Sequence, residues 1–186
     1  GTIFCLFEYN DDKPLSGRDI IMAGYCLYSN NTLLVLSTLN KINMYLLNKN
    51  NVFELIINDH KIPNIGASYG INESNRNNWD LKIATYVDKL IKHKKTQRWV
   101  GSLVADAHRT IMSGGVFMYP NDSKNSNGKI RLLYEALPMA FIFENGNGYS
   151  SNGEKSILDL DIPPDIHQKI PIFLFSKFEY ELFTLV

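Results

Sequence analysis

Arg98-Trp-Val-Gly-Ser-Leu-Val-Ala-Asp-Ala-His-Arg-Thr110, closed by Gly114-Gly115 and followed by Val116-Phe-Met-Tyr119-Pro120, decides the architecture of this chain. Apolar residues between Val100 and Met112 recur at helical spacing, so a helix is expected over that range. Gly114 and Gly115 end it, because glycine takes the left-handed backbone favoured at helix C-termini without a Cβ clash. Val116 to Tyr119 is a short apolar run expected as a buried strand, which Pro120 stops. A helix that feeds a buried strand makes the fold class mixed α/β (α+β by some schemes).

Working outward, the chain divides near Pro63. Upstream, β-rich segments are expected at Thr2–Tyr9, Ile20–Tyr28, Thr32–Ser37, Asn43–Leu47 and Val52–Ile57, split by Asn, Lys and Gly turns. Lys49-Asn50-Asn51 is a hairpin loop between the last two. Downstream, Asp80 to Ile91 is expected as a helix with Ile83, Tyr86, Val87 and Leu90 on one face. Pro138 fits the first turn of another helix that runs to about Glu144, before a flexible Asn145-Gly-Asn-Gly. Ile172 to Phe175 is expected as a last strand and Lys177 to Phe183 as a closing helix. Residues 1–63 then form a β-rich remnant of an N-terminal domain, and 64–186 a mixed α/β domain.

Bulk composition sets limits. The 186 residues are 45% hydrophobic, enough for a packed core, and 19 basic residues balance 19 acidic ones. No overall field points to nucleic acid or an acidic membrane surface, so phosphate chemistry would rest on local charge. No apolar run approaches the ~20 residues that cross a bilayer. Cys5 and Cys26 are the only cysteines, which fits free thiols in a reduced, cytoplasmic compartment. Asparagine occurs twenty times, mostly in loops, and the sequons at Asn30 and Asn121 read as by-products of that bias. Gly1-Thr-Ile-Phe opens inside a strand-like run, so residues before Gly1 are expected to be missing.

Two segments carry candidate chemistry. Lys89, Lys92, Lys94, Lys95 and Arg98 crowd ten residues; the run reads first as a solvated helix end, with cations at the negative end of the dipole. Arg98 stands apart, because an adjoining apolar helix can aim its planar fork at a ligand. In the second segment, Asn127-Gly-Lys129 is a turn that projects a compact cation. Glu135, beside Tyr134 at a helix mouth, has two readings from spacing alone. It is a hard-oxygen ligand for Mg²⁺, or a capping or salt-bridged carboxylate.

These blocks resemble the class 1 fructose-1,6-bisphosphatase family. Arg98 to Thr110, Gly114-Gly-Val-Phe-Met-Tyr-Pro120 and Asn127-Gly-Lys-Ile-Arg-Leu-Leu-Tyr-Glu-Ala-Leu-Pro-Met-Ala140 follow the family order and spacing. So do Gly1-Thr-Ile-Phe, Ala23-Gly-Tyr-Cys-Leu-Tyr28, Ile71-Asn-Glu73 and Asp165-Ile-His-Gln168. The resemblance implies a layered αβαβα sugar-phosphatase fold, here truncated at the N-terminus. It implies hydrolysis of the 1-phosphate of fructose 1,6-bisphosphate in gluconeogenesis, with two or three Mg²⁺ ions (Mn²⁺ or Zn²⁺ being possible) and a homotetramer. It also implies a metal-ligand role for Glu135 and a sugar contact for Lys129, with Ile130 and Arg131 beside it. Around the 6-phosphate it places Asn72, Glu73, Ser74, Asn75 and Tyr119, with the backbone of Gly101, Ser102 and Leu103. Arg98, flanked by Trp99 and Val100, would reach the 6-phosphate of a neighbouring subunit.

Departures carry their own expectations. Trp99 replaces a tyrosine, and its indole can only donate. Ser74 replaces a glycine, Leu137 an asparagine and Lys169 an arginine. Glu8 stands where AMP-regulated members have an arginine, which argues against AMP inhibition. The family's Asp-Pro-Leu-Asp-Gly metal motif precedes the region matched, and one glutamate cannot organise two octahedral Mg²⁺ ions. The 186 residues alone are therefore expected to be inactive, and a face left bare for the other half prone to aggregation. Two readings follow: part of a working enzyme (fructose rather than sedoheptulose bisphosphate), or a degenerate homologue that binds sugar phosphate or pairs with active subunits. His108 and His167 read as structural, His60 and His93 as solvent-facing.

Overall fold

A computed structural model describes residues 1–8, 15–38 and 40–186. Strands β1 (Thr2–Phe7), β2 (Ile20–Tyr28), β3 (Thr32–Thr38), β4 (Lys41–Leu47) and β5 (Phe53–Ile57) form an antiparallel meander in chain order. The expected strands are all present, although Tyr9 lies outside the described residues. The β4–β5 hairpin turns on Asn48, whose Oδ1 accepts from Asn50 and Val52 backbone N–H, and on Asn51 at φ 60°. Asparagine is the residue besides glycine that tolerates this conformation best.

Beyond it come β6 (Ser68–Gly70), α1 (Leu81–Lys92), β7 (Thr96–Gln97), α2 (Leu103–Ser113), β8 (Val116–Tyr119), β9 (Ile130–Arg131), α3 (Leu137–Asn145), β10 (Tyr149–Ser151), β11 (Lys169–Ile170), β12 (Ile172–Phe175) and α4 (Lys177–Thr184). A second, mixed sheet has the order β10-β12-β8-β6-β7, and β9 pairs with β11. Period-two alternation splits this sheet between two cores. Phe117, Ile172 and Leu174 join α2, α3 and the inner face of the first sheet. Val116, Met118, Phe173 and Phe175 face the other way, against α1 and α4. The layers run sheet, helices, sheet, helices.

Local chemistry explains the elements. Asp80 caps α1 by accepting from Ile83 N–H at 2.8 Å, and Ile83, Tyr86, Val87 and Leu90 are buried as their spacing predicts. Burying four such side chains stabilises this packing by about 1.5–3 kcal/mol each. On α2, His108 meets the Tyr25 hydroxyl at 2.7 Å, which pins the helix to the first sheet. Burial, then the charge of His60, hold the His108 pKa below its ordinary value.

Three expectations need correction. The segment 145–148, expected as an open linker, packs through its glycines while Asn147 stays exposed: a Cβ on Gly146 would meet Ile42 at 2.5 Å, and Gly148 is buried against Ile62. His60 does not face solvent freely, since its Nε2 lies 2.9 Å from the Ile111 carbonyl and the residue is half-buried. A single π-helical stretch, Leu132–Ala136, precedes α3 where only a helix mouth was expected. On the first sheet's outer face, Leu6 and Leu55 stand 51% exposed.

Candidate functional site

The loop between β7 and α2 is built by one carboxylate. Helix α2 begins at Leu103, three residues later than its periodicity predicts, because the backbone before it is held open. Fully buried Asp106 accepts from Val100 N–H at 3.2 Å to each oxygen and from Gly101 N–H at 3.0 Å. Gly101 sits at φ 83°, a conformation that excludes Val100–Gly101 from the helix. Arg109 Nη1 completes the carboxylate's shell at 2.6 Å. Arg98 N–H donates to the Tyr69 carbonyl at 2.8 Å, while the Arg98 side chain is exposed. Val100 and Ser102 are exposed too, and Leu103 packs against the main core.

Aromatic stacking then joins this loop to β8. The Trp99 ring lies parallel to Phe117, 5.9 Å away, and edge-on to Tyr119 at 5.7 Å. Lys129 Nζ stands over the Tyr119 ring at 5.6 Å, within cation–π range. Asn72, Asn75 and Tyr119 line one small cavity of about 10 Å³ with Asp122, room for a single water. Structure therefore brings Asn72, Asn75, Trp99, Tyr119 and Lys129 to one end of the mixed sheet.

Neighbouring polar groups are already engaged. Asn72 Oδ1 accepts from the Ser74 hydroxyl at 2.6 Å and its N–H at 3.2 Å, which caps the 3₁₀ segment Glu73–Asn78. Glu73 accepts from the Tyr69 hydroxyl at 2.5 Å. Burial and then this carboxylate push the Tyr69 phenol well above its usual range.

Between Tyr119 and Lys129 the chain folds around Asp122. Its Oδ1 accepts from Lys124 N–H, Asn125 N–H and Asn125 Nδ2 at 2.8–2.9 Å. Burial alone would raise this carboxyl's pKa, but the Asn125 side chain and the two N–H groups outweigh it and hold it low. Gly128, at φ 72°, lies so close to the Ile170 carbonyl that a Cβ would sit 2.3 Å from it. These contacts fix where Lys129 leaves the backbone.

Glu135 is a separate feature, one turn along from Ile130 and Arg131. Its Oε2 accepts from Arg131 N–H at 2.8 Å and pairs with Arg131 Nη1 at 3.6 Å, so the capping, salt-bridged reading is present in the fold. Oε1 lies outside both contacts and is the oxygen left for a cation. Among the described residues no three His, Cys, Asp or Glu side chains cluster as a metal centre. The donor set is one hard oxygen, short of a complete Mg²⁺ shell.

Two substituted positions are absorbed by packing. Leu137 is fully buried in the main core, its Cδ2 against Gly17. Trp99 is held by the two rings described. A much larger cavity, about 820 Å³, lies elsewhere, between the start of α1 and the 165–171 segment, and shares with the cluster only the 121–127 loop. Its lining mixes three carboxylates (Asp80, Glu154, Asp165) with two lysines (Lys82, Lys169) and His167, so neither sign of charge dominates there.

Sequence reasoning missed Asp106, Arg109 and Asp122. An aspartate four residues after a loop serine, beside the helix face that buries Val104, Ala107 and Ile111, was the available signal for Asp106.

A sequence profile of the C-terminal domain of fructose-1-6-bisphosphatase matches residues 62–185. The cytosolic fructose-1,6-bisphosphatase of a Saccharum hybrid is 42% identical over 194 residues, covering 97% of this chain and 56% of the relative. The class 1 enzyme of Sulfurihydrogenibium sp. is 43% identical, covering 97% and 58%. The cytosolic enzyme of Arabidopsis thaliana is 42% identical, covering 97% and 57%. The chain spans about half the length of the curated relatives it matches. No helix among the described residues is long and apolar enough to cross a membrane.

Proposed function

Because this chain belongs to the fructose-1,6-bisphosphatase family, we propose that the protein it forms part of hydrolyses fructose 1,6-bisphosphate to fructose 6-phosphate and phosphate. The observation that carries this reading is the convergence of Asn72, Asn75, Trp99, Tyr119 and Lys129, far apart in sequence, at one end of the mixed sheet. Amides, a phenol and a compact ammonium suit a sugar phosphate, since they offer several directed donors and one point charge. Arg98, exposed at the rim, is free to reach a phosphate held by a second subunit of a homotetramer. Glu135 supplies one oxygen to a divalent-cation site, Mg²⁺ by its hard donor, and its other ligands lie in the relatives' length that this chain does not span. A bound cation would neutralise phosphoryl charge; Lys129 and the amides hold and orient the sugar end. Residues 1–63 and 64–186 then serve as a β-rich platform and a sugar-phosphate-binding domain. Cytosolic relatives make the cytoplasm the expected location.

At two of the substitutions that the non-catalytic reading rests on, the side chains are packed: Trp99 stacks on Phe117 and Leu137 is buried in the main core. The test is phosphate release from fructose 1,6-bisphosphate by the full-length protein with Mg²⁺, alongside the 186-residue chain alone. Turnover by the former and none by the latter supports the proposal. An inactive full-length protein that still binds fructose 6-phosphate selects the non-catalytic reading instead.

A further inference from the structure

Gly70, Asp106 and Arg109 form a brace behind the Arg98–Ser102 loop. Asp106 is fully buried, yet its carboxylate makes no contact with solvent or with the cluster around Tyr119; it gathers Val100 and Gly101 N–H together with Arg109 Nη1. Ser102, at the N-cap of α2, makes no side-chain cap bond, so Asp106 reaches back from the first turn instead. The arginine is set with equal care. Its Nε and Nη2 are buried without a hydrogen-bond partner, a desolvation cost that a merely space-filling side chain would avoid. Gly70 makes room for it: a Cβ there would stand 2.7 Å from Arg109 Nη2 and 2.9 Å from the Arg98 carbonyl oxygen. One missing side chain on β6 thus lets the guanidinium and the Arg98 backbone share a space.

We propose that Asp106, clamped by Arg109 in the space left by Gly70, positions the Arg98–Ser102 loop for binding the non-reacting phosphate of the sugar bisphosphate. The proposal rests on the function proposed above. Asp106 and Arg109 are positioning residues: neither touches substrate, and they act by holding the Val100 and Gly101 backbone, and with it Arg98 and Trp99, in one arrangement. A bidentate carboxylate with a charged partner suits this work, because charge-assisted hydrogen bonds resist the opening that a neutral turn allows.

The experiment uses the full-length protein and three variants, Asp106→Asn, Arg109→Lys and Gly70→Ala. It measures calorimetric affinity for fructose 6-phosphate, KM and kcat for the bisphosphate, and the melting temperature. Asp106→Asn keeps the shape but places an amide N–H against backbone N–H groups; Gly70→Ala crowds both Arg109 and the Arg98 carbonyl without touching Asp106. Both should weaken fructose 6-phosphate binding and raise KM by about tenfold or more, with kcat within threefold of wild type. Arg109→Lys, which keeps a cation beside Asp106, should fall between wild type and those two. The proposal is overturned if wild type binds fructose 6-phosphate and a folded Asp106→Asn or Gly70→Ala variant binds it within twofold as well. It is equally overturned if kcat falls while KM holds. Should Asp106→Asn not fold, Gly70→Ala decides alone. Wild type that does not bind fructose 6-phosphate defeats the proposed function itself, a different outcome from either.

Discussion

Lys95 and Glu179 meet as an ion pair inside the protein, with side chains 4% and 0% exposed. Lys95 Nζ also donates to the Gly66 carbonyl at 2.5 Å and lies 4.8 Å from the Phe178 ring centre, while Glu179 Oε1 accepts from Gly66 N–H. The pair ties α4 to the end of α1 and to the segment entering β6. Buried charges attract strongly but lose much hydration, so removing one partner is worse than removing both. Glu179→Gln or Lys95→Met should lower unfolding stability by about 3–5 kcal/mol. The double variant Lys95→Met/Glu179→Leu should recover at least half of that in denaturant melts; additive losses would show that the two charges do not depend on each other.

Asp122 gives the Tyr119–Lys129 loop a pH dependence of known sign. Its folded pKa is held below the unfolded value, so its contribution is fully present above the ordinary carboxylate range near pH 4 and is lost as pH falls through the folded pKa. Asp122→Asn should therefore cost about 1 kcal/mol at neutral pH, the scale of a lost turn or capping bond, and almost nothing in strong acid. Melting curves of the two proteins between pH 2 and pH 7, roughly the span of a carboxylate titration, check this. A constant difference at all pH values would remove the ionised carboxylate from the explanation.

The first sheet is apolar on both faces. Ile3, Tyr25, Val35 and Met44 line its inner side, in register across β1 to β4. Outward, Leu6 and Leu55 expose about half their surface. A sheet with two apolar faces normally has both covered. The isolated 186-residue chain should self-associate at micromolar concentration, and Leu6→Lys/Leu55→Lys should shift it toward monomer in light scattering. Unchanged association would place the contact elsewhere on the surface.

Legibility followed local chemistry. Strands with alternating apolar residues and helices with capped, amphipathic faces were visible in the sequence, down to the bounds of β2, β8 and β12. What escaped reading was set at longer range. Lys95 looked like part of a solvated charge run. Yet α1 ends with Lys94 at φ 57°, Lys94 N–H on the Ile91 carbonyl and Lys95 N–H on that of Leu90, a closing motif that glycine usually marks. That turn carries Lys95 inward, and nothing in its neighbours signals it. Asp106 likewise spans a distance of six residues to Val100, so helical periodicity alone started α2 too early. Lys129 was legible as a site candidate from its turn, Asn72, Trp99 and Tyr119 only through resemblance; their meeting is a property of the mixed sheet, whose order places β6 between β7 and β8.

Lys129 bears most directly on the central claim that this cluster grips a sugar phosphate. Its ammonium stands over Tyr119 and is exposed, so Lys129→Ala removes a charge without opening a core. In the full-length protein the KM for fructose 1,6-bisphosphate should rise by at least about tenfold, the loss of one hydrogen bond to a charged group, at an unchanged melting temperature. A KM within twofold of wild type would contradict the account.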